Sequence, residues 1–502
     1  MTAVSATAAS QVHRPDPGRW RILAVLLTTI FMSLIGVSII NVALPSIHTA
    51  LDATQSDLQW VLSGYALTFG VVLVAAGRAG DLMGRGGLFL VGVALFTLAS
   101  IAAGLAPDAA WLNGARFAQG VGSGLLNPQG LGMIQQYFRG AERGRAFGYF
   151  GTVVGFSVAI GPVLGGLLIE LGGPQFGWRL TFLVNVPIGI AVIALGLRWF
   201  PRPLIRLPGT PAPSGRTGAA DRAGARPAGQ PGWRSLDPVG SLLLGLAVLC
   251  FLYPFVESRA APATWLLLPL SLGLTAAWIG WERRTARRGL SPMVDLRIFS
   301  TTSFSNGVLI MTLYFLGMTS IWVLIALYAQ EGLGLSALQS GLFGIPAALL
   351  SSWAADWAGH RVMTYGRKIV IVGLLLALAG LILSGLVILL QAHGLASAWW
   401  LLLTLSFIGV AQGLVISPNQ ALTLMDVPLD YAGSSGAIMQ TGQRIGTSVG
   451  IAMITAVVFL TLDLASWPAA MIAGFGVIAV VVLIALRVAI KDQRDRRRQG
   501  PA

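Results

Sequence analysis

The chain has 502 residues, 55% of them hydrophobic and 10% charged, with a formal net charge of +14. So few polar groups cannot cover a soluble protein, which excludes a soluble globular domain and makes lipid the solvent for most of the chain. The positive charge does not indicate nucleic acid, because the basic residues are spread over many short loops instead of being gathered on one folded face.

Apolar runs of about 20 residues, enough to cross a bilayer core of roughly 30 Å, recur along the sequence. In chain order they predict spans near 22–45, 58–77, 87–107, 110–134, 146–169, 180–198, 238–256, 263–281, 303–329, 337–358, 369–391, 397–422, 432–461 and 467–487. The fold class is therefore an all-α integral membrane protein with fourteen transmembrane helices. The first run, Ile22 to Ile47, is too long for a signal-peptide core and leads directly into further spans, so no cleaved targeting segment is expected. The single cysteine, Cys250, lies in an apolar run and leaves no intramolecular disulfide or cysteine metal site; no metal and no cofactor are expected.

An even number of spans puts both termini on one side. If that side is cytoplasmic, Arg19, Arg21, Arg78, Arg85, Arg139, Arg143, Arg145, Arg283, Arg284, Arg287, Arg288, Arg361, Arg367 and Lys368 all fall inside, with Arg494 to Arg498. Asp52, Asp57, Asp108, Glu170, Glu257, Glu331 and Asp463 fall outside, the asymmetry of the positive-inside rule. The domain plan is a cytoplasmic tail at 1–20, a six-helix bundle at 21–200, a linker at 201–236, an added helix pair with a basic loop at 237–302, a second six-helix bundle at 303–489 and a basic tail at 490–502. The linker is rich in Pro, Gly, Ala and Arg and too poor in apolar surface to order itself.

An internal repeat accompanies this plan. Residues 77–86, with Gly77, Asp81, Gly84 and Arg85, align without a gap with 359–368, where Gly359, Met363, Gly366 and Arg367 stand. The fourth span carries Ala118, Gln119 and Gly120 before Pro128; the twelfth carries Ala411, Gln412 and Gly413 before Pro418. Two related six-helix halves are thus joined by an extra helix pair.

These residues resemble the major facilitator superfamily, and within it the fourteen-span drug:proton antiporters of the EmrB/QacA type. Gly77, Asp81, Gly84 and Arg85 are similar to the superfamily's first cytoplasmic signature, which implies a gating role; Asp81 before a helix start also suits the positive helix end. Gly151, Gly155, Gly161, Pro162, Gly165 and Gly166 resemble the glycine-rich signature of exporters, with close helix packing as its physical content. Trp178, Arg179, Phe182, Asn185, Pro187 and Gly189, and Asn41 to Pro45 closing the first span, are similar to patterns of the fourteen-span branch. That first-span pattern usually begins with an acid; here Gly36 takes its place, so the usual intramembrane carboxylate is absent from that position.

Three charges lie within the expected spans: Arg116, Asp356 and Arg444. A charge in hydrocarbon costs a few kcal/mol or more unless paired or wetted, so each is a candidate for substrate binding or coupling. Arg116 with Gln119 matches a family signature in the fourth span; Arg444 follows Gln440 and Gln443 in another. Asp356 lies one turn from the end of its span, in reach of Arg361. Asn41, Asn127, Gln129, Asn419, Tyr314 and Trp322 are expected to complete a cavity for a small hydrophobic or amphipathic substrate.

An ATP-driven pump is excluded, because neither Lys368 nor Lys491 is followed by Ser or Thr as a phosphate loop requires. The four histidines, His13, His48, His360 and His393, are too scattered for a catalytic cluster, so no enzyme is expected. The resemblance implies proton-linked efflux by a monomer in a bacterial inner membrane, with protons and the lipid bilayer as partners. The positive balance of the three buried charges keeps open export of a lipid or secreted metabolite, neutral or anionic.

Overall fold

The computed structural model describes residues 18–205, 237–257, 262–290, 292–335, 337–428 and 431–499. Among these residues there are helices and connections and no strand. The first expected span is broken: α1 (Arg19–Ser38) stops at Ile39 and α2 (Ile40–Leu51) follows. Pro45 in α2 cannot donate to the preceding turn, and the break falls beside that turn. Next, α3 (Gln55–Met83) starts on a reciprocal cap, Thr54 Oγ1 accepting from Asp57 N at 3.2 Å and Asp57 Oδ2 from Thr54 N at 2.9 Å. Then come α4 (Arg85–Gly104), α5 (Ala109–Tyr137), α6 (Gly140–Leu183), bent where Gly173 takes φ 71°, and α7 (Asn185–Trp199).

The pair α8 (Pro238–Glu257) and α9 (Leu267–Arg287) precedes α10 (Thr302–Leu327), α11 (Ala337–Leu342), α12 (Gly344–Tyr365), α13 (Arg367–Ala392), α14 (Leu401–Thr423), α15 (Ala432–Leu464) and α16 (Trp467–Gln499). In the first half α5 packs between α3 and α4, and α6 against α1 and α2; in the second, α14 packs between α12 and α13, and α10 between α15 and α16. The halves meet where α6 lies on α12 and α14, and where α3 and α5 lie on α15. The added pair packs on itself, with α8 against α3 and in contact with α15.

Eleven helices among the described residues are long and apolar enough to cross a membrane, or twelve if the bent pair in α6 is one span. This is fewer than the fourteen expected. The difference is α5 and α12, 29 and 22 residues long, whose Asn, Gln, Ser, Gly and charged residues dilute their apolar content. The linker expected at 201–236 lies outside the described residues from 206 on, as does the N-terminal tail through residue 17. The segment expected as a basic tail, 490–502, continues α16 as helix to Gln499. Both repeat turns place glycine at positive φ, Gly84 at 106° and Gly366 at 54°, so each helix pair is joined through a conformation that a side chain disfavours.

Candidate functional site

The helix ends rich in arginine form one end of the bundle, and there Asp81 joins its halves. Its Oδ1 accepts from Arg85 Nε at 3.1 Å and Nη2 at 2.8 Å, so the pair closes the α3–α4 turn. Its Oδ2 accepts from Ser434 N at 3.0 Å and Ser434 Oγ at 2.8 Å, in the first turn of α15. A carboxylate on the exposed amides of a helix start meets the positive end of the helix dipole. Arg85 Nη1 also donates to Gln136 Oε1 at 2.9 Å. Gly77 and Gly84 serve this arrangement as backbone: Gly77 is buried in α3, and Gly84 makes the turn.

The second half repeats the turn with a different acid. Met363 stands where Asp81 would be, and Arg367 finds Asp492 of α16 instead, Nε to Oδ2 at 2.5 Å with both side chains 1% exposed. Arg367 Nη1 donates to Asn419 Oδ1, Asn306 Nδ2 to Asp492 Oδ1 at 2.9 Å, and Asn419 Nδ2 to Gly307 O at 2.9 Å. Arg496, one turn on from Asp492, reaches the same oxygen at 3.3 Å and Asp426 at 3.6 Å. Asn419, expected in a cavity, is thus a structural partner of this buried pair. Nearby, Asp295 accepts from Arg297 Nη2 at 2.7 Å and from the Tyr431 hydroxyl at 3.3 Å. Burial alone pushes the Asp295 carboxyl up, but its hydrogen bonds and charge pairing with Arg297, helped by Tyr431, hold it below its ordinary value.

Two arginines bracket an aromatic pair in the middle of the bundle. Arg116, 2% exposed, donates from Nε to Val61 O at 2.7 Å and from Nη1 to Gln119 Oε1 at 2.8 Å. Gln119 passes the chain on to Ser100 Oγ at 2.8 Å, and the guanidinium lies 4.5 Å from the Tyr65 ring centroid. Tyr65 stacks on Phe69 at 6.2 Å and 15°, and Arg444 of α15 lies 4.3 Å over Phe69. Among the described residues Arg444 makes no hydrogen bond or ion pair, and it is half-buried. Its neighbours along α15 leave Gln440 Oε1 and Gln443 Nε2 buried without partners. The position at Gly36 does not face Arg116: a Cβ there would meet Asn185 Nδ2 at 3.5 Å and Phe96 at 3.6 Å.

The other candidates disperse. Gln129 donates to Ala76 O at 2.7 Å and ties α5 to α3; Asn127 donates to Ser123 O of its own helix at 3.0 Å. Tyr314 is buried edge-on against Phe315 at 6.0 Å, and Trp322 is half-buried in α10. The side chain of Asn41 lies outside the described set. Asp356 does not pair with Arg361: it is 45% exposed and lies 3.6 Å from His360 Nδ1, while Arg361 stacks 4.7 Å over Trp357. Its place on an outward face of α12 removes it from the bundle interior.

The glycines of α6 serve two interfaces. A Cβ on Gly151 would meet the Ala355 Cβ at 2.7 Å and the Ser417 Cβ at 3.0 Å; one on Gly155 would meet Ser352 Oγ at 2.6 Å, so this stretch faces the other half. Gly161 and Gly165 instead face Ser38 and Ile39 at the α1–α2 break, and Gly166 faces open space. The side chain of Pro162 lies outside the described set.

Sequence reasoning missed Arg78, Asp237, Glu282, Arg367 and Asp492 as buried charges. The repeat alignment carried a signal for Arg367: an arginine matched to Arg85 with methionine in place of its acid requires a carboxylate from elsewhere. Glu282 was hidden by the arginines that follow it at 283 and 284, which made it look like loop.

A sequence profile described as Major Facilitator Superfamily matches residues 26–451. The chain is 31% identical over 449 residues to the probable actinorhodin transporter of Streptomyces coelicolor, covering 89% of this chain and 73% of that protein. It is 30% identical over 454 residues to the multidrug resistance protein Stp of Mycobacterium tuberculosis, covering 89% and 77%. Its fold is similar to that of the proton:xylose symporter XylE, with a TM-score of 0.64, 14% identity and coverage of 94% and 95%.

Proposed function

The chain belongs to the Major Facilitator Superfamily, and from that premise we propose that it is a fourteen-span, proton-linked efflux transporter of small amphipathic compounds, working by alternating access. The observation that carries this reading is Asp81, bonded to Arg85 in its own half and to Ser434 in the other. A tie that closes one end of the bundle and can be broken without unfolding either half is what alternating access requires. The names of the relatives, an actinorhodin transporter and a multidrug resistance protein, support outward transport of small molecules. Adding α5 and α12 to the eleven apolar helices and the bent pair supports fourteen crossings, since both are long enough and both pack among spanning helices. The clustering of arginine at the end of the bundle that holds Asp81 supports a cytoplasmic location for it.

The substrate class this site favours is an aromatic molecule that is neutral or anionic. Arg116 is satisfied by neutral groups, and among the described residues Arg444 has only the face of Phe69 and no carboxylate pairs with either. An unpaired guanidinium in a low-dielectric site attracts anions and repels cations. The same feature favours the second reading, export of an anionic metabolite or lipid.

The test is uptake by inverted proteoliposomes under an imposed pH gradient, with carboxyfluorescein as the anionic probe and ethidium as the cationic one. Gradient-driven uptake of carboxyfluorescein, reduced about tenfold by Arg444→Gln, is the expected result. Uptake of ethidium alone sinks the anionic assignment; uptake of both that ignores the gradient sinks proton linkage.

A further inference from the structure

A second group of buried charges sits where the added helix pair meets the tie between the halves. Asp237, heading α8, is 5% exposed, and Glu282, in the last turns of α9, is 1% exposed. Asp237 Oδ1 accepts from Gly240 N at 3.0 Å and from Trp281 Nε1 at 2.8 Å. No hydrogen bond of full geometry reaches its Oδ2 or either oxygen of Glu282, although the backbone N–H groups of Met293 and Val294 and the Trp278 indole lie beside the Glu282 carboxylate. Asp237 Oδ2 and Glu282 Oε1 converge on Gly240, where a Cβ would lie 2.5 Å from the first and 2.8 Å from the second. From α3 the pair is faced by Arg78, 6% exposed and with its own Nε unpartnered, which also interacts electrostatically with Asp81 and Tyr431.

The charges around this point do not balance. Arg78, Arg85 and Arg297 stand against Asp81, Asp237, Glu282 and Asp295, which leaves one carboxylate in excess if all are ionised. An excess buried carboxylate is strongly disfavoured, and like charges in one site raise the proton affinity of one of them. Ionised carboxylates only accept, so two that converge have nothing to give each other. One proton turns one of them into a donor aimed at the other.

We propose that Asp237 and Glu282 form a proton-binding pair holding one shared proton while the tie between the halves is closed. Arg78 is common to this pair and to Asp81, so breaking the bonds from Asp81 to Ser434 changes the field on the pair and the strength with which the proton is held. The added helices thereby supply an acid site in a chain whose first span has glycine at the family's acid position. The site stands apart from the efflux reading, because proton binding is measured without substrate.

Infrared spectroscopy of the purified full chain tests it. Near neutral pH the spectrum should contain a protonated-carboxyl C=O band that fades as pH rises and that Glu282→Gln and Asp237→Asn each remove. A second variant, Gly240→Ala, drives a methyl group between the oxygens and should weaken proton binding about tenfold or more. Absence of the band from the unaltered protein near neutral pH overturns the proposal. So does a band that persists in both carboxyl variants, or a titration that Gly240→Ala leaves unchanged.

Discussion

Asp81 has one oxygen committed to its own half of the molecule and the other to the opposite half. Replacing it with asparagine keeps the size and removes the charge, so bonds worth about 1.5–3 kcal/mol each become ordinary ones. Asp81→Asn should leave expression intact, cut transport at least tenfold and raise the labelling of a cysteine at Leu131→Cys, a position packed against Gly436 across the interface. Unchanged labelling and turnover would reduce the aspartate to a turn residue. Its neighbourhood was legible in the sequence because all four signature residues lie within one turn and its flanks. The bond to Ser434 was not, since 353 residues separate the partners and nothing local to either reports the other. Arg116 was legible as a buried charge, but its satisfaction by Val61 O and Gln119 was not, because carbonyl partners leave no mark on composition.

At the scale of one element, α6 is a bent element with two duties divided along its length. Its first turns lie against α12 so closely that a Cβ on Gly148 would stand 3.0 Å from Gly359 Cα, whereas Gly166 has nothing within reach. Overpacking of a tight contact costs about 1–3 kcal/mol, and Gly148 makes such a contact with the other half in this arrangement. Gly148→Leu should fold, lose about four-fifths or more of transport by that arithmetic, and leave the Leu131→Cys label reactive. Gly166→Leu should transport normally. Equal behaviour of the two variants would mean that the glycines act only through chain flexibility. Glycine spacing in the sequence announced close packing but not the partner, and Gly161 and Gly165 turn out to serve the α1–α2 break instead of the interface between halves.

At the scale of the whole molecule, apolar runs carried the class, an all-helical membrane protein, because it follows from the bilayer and not from details of packing. The number of spans was harder to read from hydropathy because α5 and α12 carry polar residues that they turn toward neighbouring helices. Fourteen crossings put both ends of the chain on one side, while eleven do not. In a Cys250→Ala background, Gly215→Cys and Gln499→Cys should both be labelled only from the cytoplasm; labelling of either from outside removes the even-numbered topology. The pairing of Arg367 with Asp492, 125 residues apart, fastens the last helix to the interior of the second half. A chain shortened by a dozen residues would therefore strand a guanidinium in a dry crevice, and a tag fused before Gln499 would pull on it. What reads as spare length beyond the last apolar run is a bolt, and it is seated only once α16 has been made through Asp492.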